Sequence, residues 1–316
     1  MDAVDKVENT HEDTTDSSQK GRNQAQTDDA DSNKIGTIQD TTDSSRTCAK
    51  MPVDESSDYY NMSHSRRGLA IIISYSVFEK EGLPPRSCAK HDADLCKNSF
   101  EKLGYEIRLY NNNPKKDELL NILKEVGQED HNDSDSLIIV FMSHGKYEEK
   151  DNKEFIFARD GEIPTSKLWE NFTAEKCPSL AGKPKMFFSQ ACRGVNTDSG
   201  VQLRKRKGGC VADSVAGRKE AYSIPVYADM LIMWATYPGL YAFRTKQYEE
   251  EKSVFVHFLT KVLNEDGDRE DLASMLLRVT REVGIDYESR SLREDMNNKK
   301  QIPYIGSTLM RKIKFF

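Results

Sequence analysis

Long apolar runs are missing from this 316-residue chain. The stretches at residues 69–73 and 137–142 are strand-sized, far short of the roughly 20 residues that cross a bilayer, so no membrane partner is expected. The N-terminus has no charged-then-apolar secretion signal. Cysteine is sparse: Cys48, Cys88, Cys96, Cys177, Cys192 and Cys210 have neither paired nor metal-type spacing. The expectation is reduced thiols in the cytoplasm, with no disulfide framework, metal or other cofactor. Excess positive charge is lacking too, with 46 basic against 52 acidic residues, which argues against an obligate nucleic-acid or anionic-lipid binder.

Aromatic residues are absent from residues 1–50, where 11 Asp and Glu outnumber 6 Lys and Arg. Such a segment buries too little apolar surface to offset the entropy of ordering, so residues 1–60 are expected to form a disordered leader. It contains a repeat, Asp13-Thr14-Thr15-Asp16-Ser17-Ser18 recurring as Asp40-Thr41-Thr42-Asp43-Ser44-Ser45. The remainder, roughly 260 residues, is ample for one large α/β domain.

Periodicity then alternates. Strands are expected at 68–75, 105–110, 137–142, 185–188, 228–236 and 302–305, and helices near 89–103, 115–126, 166–172, 253–263 and 272–283. The polar stretch at 146–153 is expected to be a loop, and residues 195–224 a long structureless insertion with a basic run at 204–207, most simply a solvated linker. The β-α-β-α order predicts a three-layer α/β sandwich, a mostly parallel sheet with helices on both faces.

Two motifs sit at strand ends, where open parallel sheets carry their sites. Ser143-His144-Gly145 follows one apolar run, and Gln190-Ala191-Cys192-Arg193-Gly194 follows another. A thiol is a stronger nucleophile than water once deprotonated, and a nearby histidine can take its proton and return it to a leaving amine. Cys192 and His144 suit those roles. Backbone N–H groups at Gly145 and Cys192 are candidates to hold the oxyanion. A lone buried thiol or a satisfied core histidine is the usual reading of either residue by itself, but the pairing at two strand ends favours catalysis.

The pentapeptide around Cys192, with His144 about 50 residues upstream, resembles the caspase signature. The likeness runs from about Gly68 to the C-terminus and includes Gly182-Lys183-Pro184-Lys185, Pro238-Gly239 and Lys300-Gln301-Ile302-Pro303. It implies a cysteine endopeptidase that cuts after aspartate. It further implies that Arg86, Gln190 and Arg244 hold the substrate aspartate, that Tyr241 and Phe243 form an apolar shelf for the preceding residue, and that the Pro84 carbonyl orients His144. Two guanidinium forks around one carboxylate suit strict selection of aspartate. Ala242 and Phe243 stand where the family often has serine and tryptophan. Val254 is the nearest match to a second tryptophan, which leaves the fourth subsite open.

An aspartate pocket gives the polar segments a meaning. Asp16, Asp43, Asp198 and Asp213 each precede serine and become candidate cleavage sites. The family reading divides the chain into a prodomain at 1–60, a large subunit at 61–198, a linker at 199–224 and a small subunit at 225–316. It implies an apoptotic executioner zymogen, cut at Asp198 by an upstream initiator caspase and trimming its own leader. Its partners would be aspartate-containing proteins and inhibitor-of-apoptosis proteins, and its active form a dimer of large/small pairs. The leader is too short and polar for a death-fold recruitment domain, which favours the executioner type. The rival is a catalytically silent homologue that regulates an active caspase. A relative selecting basic residues is disfavoured, because two arginines would repel a cation.

Overall fold

The computed structural model describes residues 53–148, 150–151, 153–200, 224–246 and 250–316. Six strands form the main sheet: β1 (Arg66–Ser74), β2 (Glu106–Tyr110), β3 (Ser134–Met142), β7 (Lys185–Gln190), β8 (Met230–Trp234) and β11 (Tyr304–Ser307). Their spatial order is β11-β8-β7-β3-β1-β2. All pairings are parallel except β11 with β8.

The central strands are continuous apolar runs because both faces of the sheet are covered. Successive side chains point to opposite faces, and each face has its own core. Ala70, Ile72, Ile138, Val140, Met186 and Phe188 pack with α1 (Ala89–Lys102), α3 (Val254–Asp266) and α4 (Leu272–Asp286). Leu69, Ile71, Ile73, Leu137, Ile139 and Phe187 pack on the other side, with α2 (Lys116–Gln128) and with Leu168 and Phe172. The expected three-layer sandwich is therefore the observed fold.

Three local expectations change. The supposed loop at 146–153 is mostly hairpin: β4 (Gly145–Glu148) pairs antiparallel with β5 (Lys153–Phe157), which pairs with β6 (Glu162–Pro164). Residues 166–172 are two 3-10 turns, Thr165–Leu168 and Glu170–Phe172, because the backbone leaves helical geometry at Trp169, φ −121°. The insertion does not begin at 195. Asn196 bridges to Leu240 and Asp198 to Lys300, so the chain stays tied to the body through this stretch.

At the other end, Tyr59 bridges to Lys312. Tyr60 is buried and donates through its hydroxyl to Asp229 at 2.7 Å. The body thus includes residues ahead of position 61. Asp16, Asp43 and Asp213, the leader repeat and the basic run at 204–207 lie outside the described residues.

Candidate active site

β3 and β7 lie side by side, with Met142 paired to Gln190, so His144 and Cys192 leave the sheet from neighbouring strands at the same edge. Their loops are joined at once: Ser143 N–H donates to the Gln190 carbonyl at 3.0 Å. Gly145 makes the approach possible, since a Cβ there would collide with the Cys192 carbonyl oxygen. Gly194 has φ +157°, and a Cβ on it would strike Gly239. A loop after β8 comes in against this turn, with Arg193 N–H donating to the Leu240 carbonyl at 3.0 Å and Gly239 N–H to that of Arg193 at 2.7 Å.

His144 Nε2 lies 2.7 Å from the Pro84 carbonyl. A carbonyl only accepts, so Nε2 carries the hydrogen and Nδ1 keeps the lone pair of a base. The Phe78 ring, 4.8 Å away between centroids, covers the imidazole and was not foreseen from the sequence. Burial lowers the His144 pKa from its ordinary value, against the pull of the Pro84 carbonyl, and Arg86 and Arg244 lower it further. Burial also raises the Cys192 thiol, although its bond to Ala242 and the same two arginines oppose that rise. Both shifts favour the neutral imidazole and the neutral thiol, an arrangement for proton transfer on attack. The thiol donates to the Ala242 carbonyl at 3.7 Å.

The backbone offers two N–H groups. His144 and Phe157 form the hydrogen-bonded pair of the hairpin, with Phe157 N–H donating to the His144 carbonyl at 3.0 Å. Gly145 is then at the intervening position, whose N–H points out of the ladder. Among the described residues the Cys192 N–H has no backbone acceptor outside the regular elements.

Arg86 is 3% exposed. Its Nη1 donates to the Tyr75 and Met142 carbonyls at 3.0 and 3.1 Å, and Nη2 lies 3.2 Å from Asp92 Oδ2. Gln190 is 4% exposed and its buried Oε1 has no hydrogen-bond partner. Arg244 opens β9 (Arg244–Thr245), which pairs with β10 (Lys252–Ser253), and Glu251 is 4.0 Å from its guanidinium. Tyr241 and Phe243 form an edge-to-face pair at 5.1 Å, and Phe243 meets Tyr287 at 5.8 Å. Gln301 braces this loop, accepting from Phe243 N–H at 2.7 Å and donating to the Ala235 carbonyl at 2.8 Å.

A cleft of about 630 Å³ is lined by Tyr241, Phe243 and Arg244 together with Lys246, Arg290 and Arg293. These last three went unnoticed in the sequence, where isolated cations resemble ordinary solvated charges. Val254 is not there. It is the first residue of α3, fully buried in the core, because its N–H bonds the Phe243 carbonyl and draws it inward. Arg193 lies behind the cysteine turn, paired with Glu154 and 4.5 Å above the Trp234 ring.

Residues 67–314 match the family model described as the caspase domain. The chain is 35% identical to Caspase-1 of Drosophila melanogaster over 271 residues, 84% of this chain and 79% of that protein. It is 36% identical to Caspase-3 of Bos taurus over 257 residues, covering 81% and 87%. The crystal structure of Caspase-1 from Spodoptera frugiperda superposes with a TM-score of 0.75 at 33% identity, covering 85% of this chain and 99% of that one. With the cysteine and histidine loops meeting at the sheet edge of that fold, this chain belongs to the caspase family.

Proposed function

We propose that the protein is a cysteine endopeptidase that cuts proteins after aspartate, an executioner caspase made as a zymogen. The observation that carries this is the grouping of Arg86, Gln190 and Arg244 around the loops of His144 and Cys192: Arg86 bonds the Met142 carbonyl, Met142 pairs with Gln190, and the Cys192 thiol bonds the Ala242 carbonyl two residues before Arg244. In this reading Nδ1 of His144 takes the thiol proton as sulfur attacks the scissile carbonyl. The Gly145 and Cys192 N–H groups hold the oxyanion, and His144 returns the proton to the departing amine. The aspartate carboxylate enters between the two guanidinium groups, and the preceding side chain rests on Tyr241 and Phe243. The test is a tetrapeptide library ending in aspartate, glutamate or lysine, for which turnover of the aspartate set alone is expected. Turnover of the lysine set would overturn the reading.

Activation is part of the proposal. Cleavage at Asp198 by an initiator caspase, with Asp213 as a second linker site, separates the segments that carry Cys192 and Arg244. Self-cleavage at Asp16 and Asp43 then removes the leader. Asp198→Ala is expected to stop an initiator from producing activity, read as the lag before turnover of an aspartate reporter; an unchanged lag removes Asp198 from the scheme. The edge position of β11 in the sheet supports a dimer of processed pairs, since an edge strand can pair with a second copy. A cytoplasmic setting, with aspartate-bearing proteins and inhibitor-of-apoptosis proteins as partners, completes the reading.

The cleft at Arg244 supports a finer point of specificity. Among the described residues, neither Lys246 nor Arg290 has an ion-pair partner, whereas Arg293 pairs with Asp295 at 2.6 Å. An acidic side chain four residues before the cut fits these cations, and the leader sites offer Asp13 and Asp40 there. For peptides with that aspartate, Arg290→Ala is expected to lower kcat/KM about two- to fivefold, the scale of an exposed ion pair. The same comparison with asparagine at that position should show little change.

A further inference from the structure

Asp92 belongs to the buried stripe of α1, beside Ala93 and Cys96, and is 0% exposed. Its Oδ1 accepts the Ser253 N–H at 2.9 Å. Its Oδ2 accepts the Ser253 hydroxyl at 2.6 Å and faces Arg86 Nη2 at 3.2 Å. A buried guanidinium with no counter-charge is strongly disfavoured, so this carboxylate is the compensating charge for Arg86 while the pocket is empty. The other end of the guanidinium is anchored separately, by the Tyr75 and Met142 carbonyls.

We propose that Asp92 is the resident counter-ion of the aspartate pocket, and that Ser253 sets how strongly it competes with substrate for Arg86. The inference rests on the reading above, in which Arg86 receives the substrate carboxylate. Two carboxylates sharing one guanidinium repel each other; at about 6 Å and an effective dielectric near 20 the effect is on the order of a hundredfold in affinity. Neutralising Asp92 leaves the Nη1 anchors in place and removes that repulsion. Removing the Ser253 hydroxyl, which also accepts from Arg86 Nη2 at 3.5 Å, does the reverse, because Oδ2 loses a donor and both it and Nη2 turn more fully to each other. Ser253 lies beyond residues 201–223, so the strength of the pocket depends on contact between the segments on either side of that stretch.

The experiment uses the full-length protein after processing, with two tetrapeptide amides that differ only in a final aspartate or asparagine. Each is titrated as a competitive inhibitor of an aspartate reporter, and the ratio of inhibition constants is the readout. Asp92→Asn is expected to raise the preference for aspartate on the order of tenfold to a hundredfold, the upper figure being the full repulsion. Ser253→Ala is expected to lower it about two- to threefold, the low end of the net worth of a single hydrogen bond, because Asp92 keeps the Ser253 N–H. A merely structural Asp92 would change stability and leave both ratios at the wild-type value, which overturns the proposal; a fall in the Asp92→Asn ratio overturns it as well. Where Asp92→Asn fails to fold, the Ser253→Ala ratio decides, read also as the rise in unfolding temperature that each peptide produces. A wild type with no preference between the peptides would sink the pocket reading itself, whereas an intact preference that neither variant shifts sinks the counter-ion alone.

Discussion

Replacing Cys192 with alanine is expected to lower kcat/KM for an aspartate-ended peptide by on the order of 10⁵-fold. The folded state should be little affected, because the thiol's bond to the Ala242 carbonyl, at 3.7 Å, is a weak one. His144→Ala should fall to a similar floor, and the double variant should fall no further. In the proposed mechanism nucleophile and base act as a unit, so once either is gone the other has nothing to activate or to be activated by. Three rate measurements decide this, and additive losses would argue against a shared step. The pH profile gives a second check. Burial lowers the His144 pKa, so the base remains neutral below its ordinary value near 6.5. The acid limb of kcat/KM should accordingly lie below pH 6.5, and His144→Ala should remove that limb.

Arg86→Ala is expected to have two large effects that can be separated. Catalytic efficiency toward aspartate peptides should drop on the order of a thousandfold, because the incoming carboxylate loses a donor in a site built to bind it. Stability should also drop, by about 3–5 kcal/mol, because the fully buried Asp92 keeps its Ser253 bonds but loses its counter-charge. Adding Asp92→Ala removes the stranded charge, so the double variant should regain much of the stability and none of the catalysis. Denaturant unfolding of the three proteins together with their kcat/KM values tests both parts. Recovery of activity in the double variant would mean that the single substitution acted through folding alone.

The doubly covered sheet was legible in the sequence. Its strands are runs such as Leu137-Ile138-Ile139-Val140-Phe141-Met142, which only a strand buried on both faces requires. The hairpin from Gly145 to Phe157 was not, because Lys146, Tyr147 and Glu148 are half-exposed in a small side sheet and show no apolar alternation. Cys192 and His144 could be found from their strand-end positions. Arg86 and Arg244 needed the family resemblance, since nothing local separates a pocket arginine from a surface one. Asp92 carried a signal that went unused. It falls on the same helical stripe as Ala89, Cys96 and Phe100, and a carboxylate on a buried stripe calls for a partner. The ties at Asn196 and Asp198 had no such signal, because a bridge of one residue each leaves no pattern in composition.

The parallel pairing of β7 with β8 spans the undescribed stretch at 201–223: Lys185 to Ser189 lie in register with Met230 to Trp234. A cut within that stretch severs no strand pairing of the main sheet. What changes is the molecularity of unfolding. The intact chain unfolds as one molecule, at a temperature independent of its concentration. Once cut, it can separate into two chains, and by mass action its melting temperature then rises with protein concentration. A cut there would therefore convert the stability of this fold into an association equilibrium, so that dilution alone could separate the two pieces.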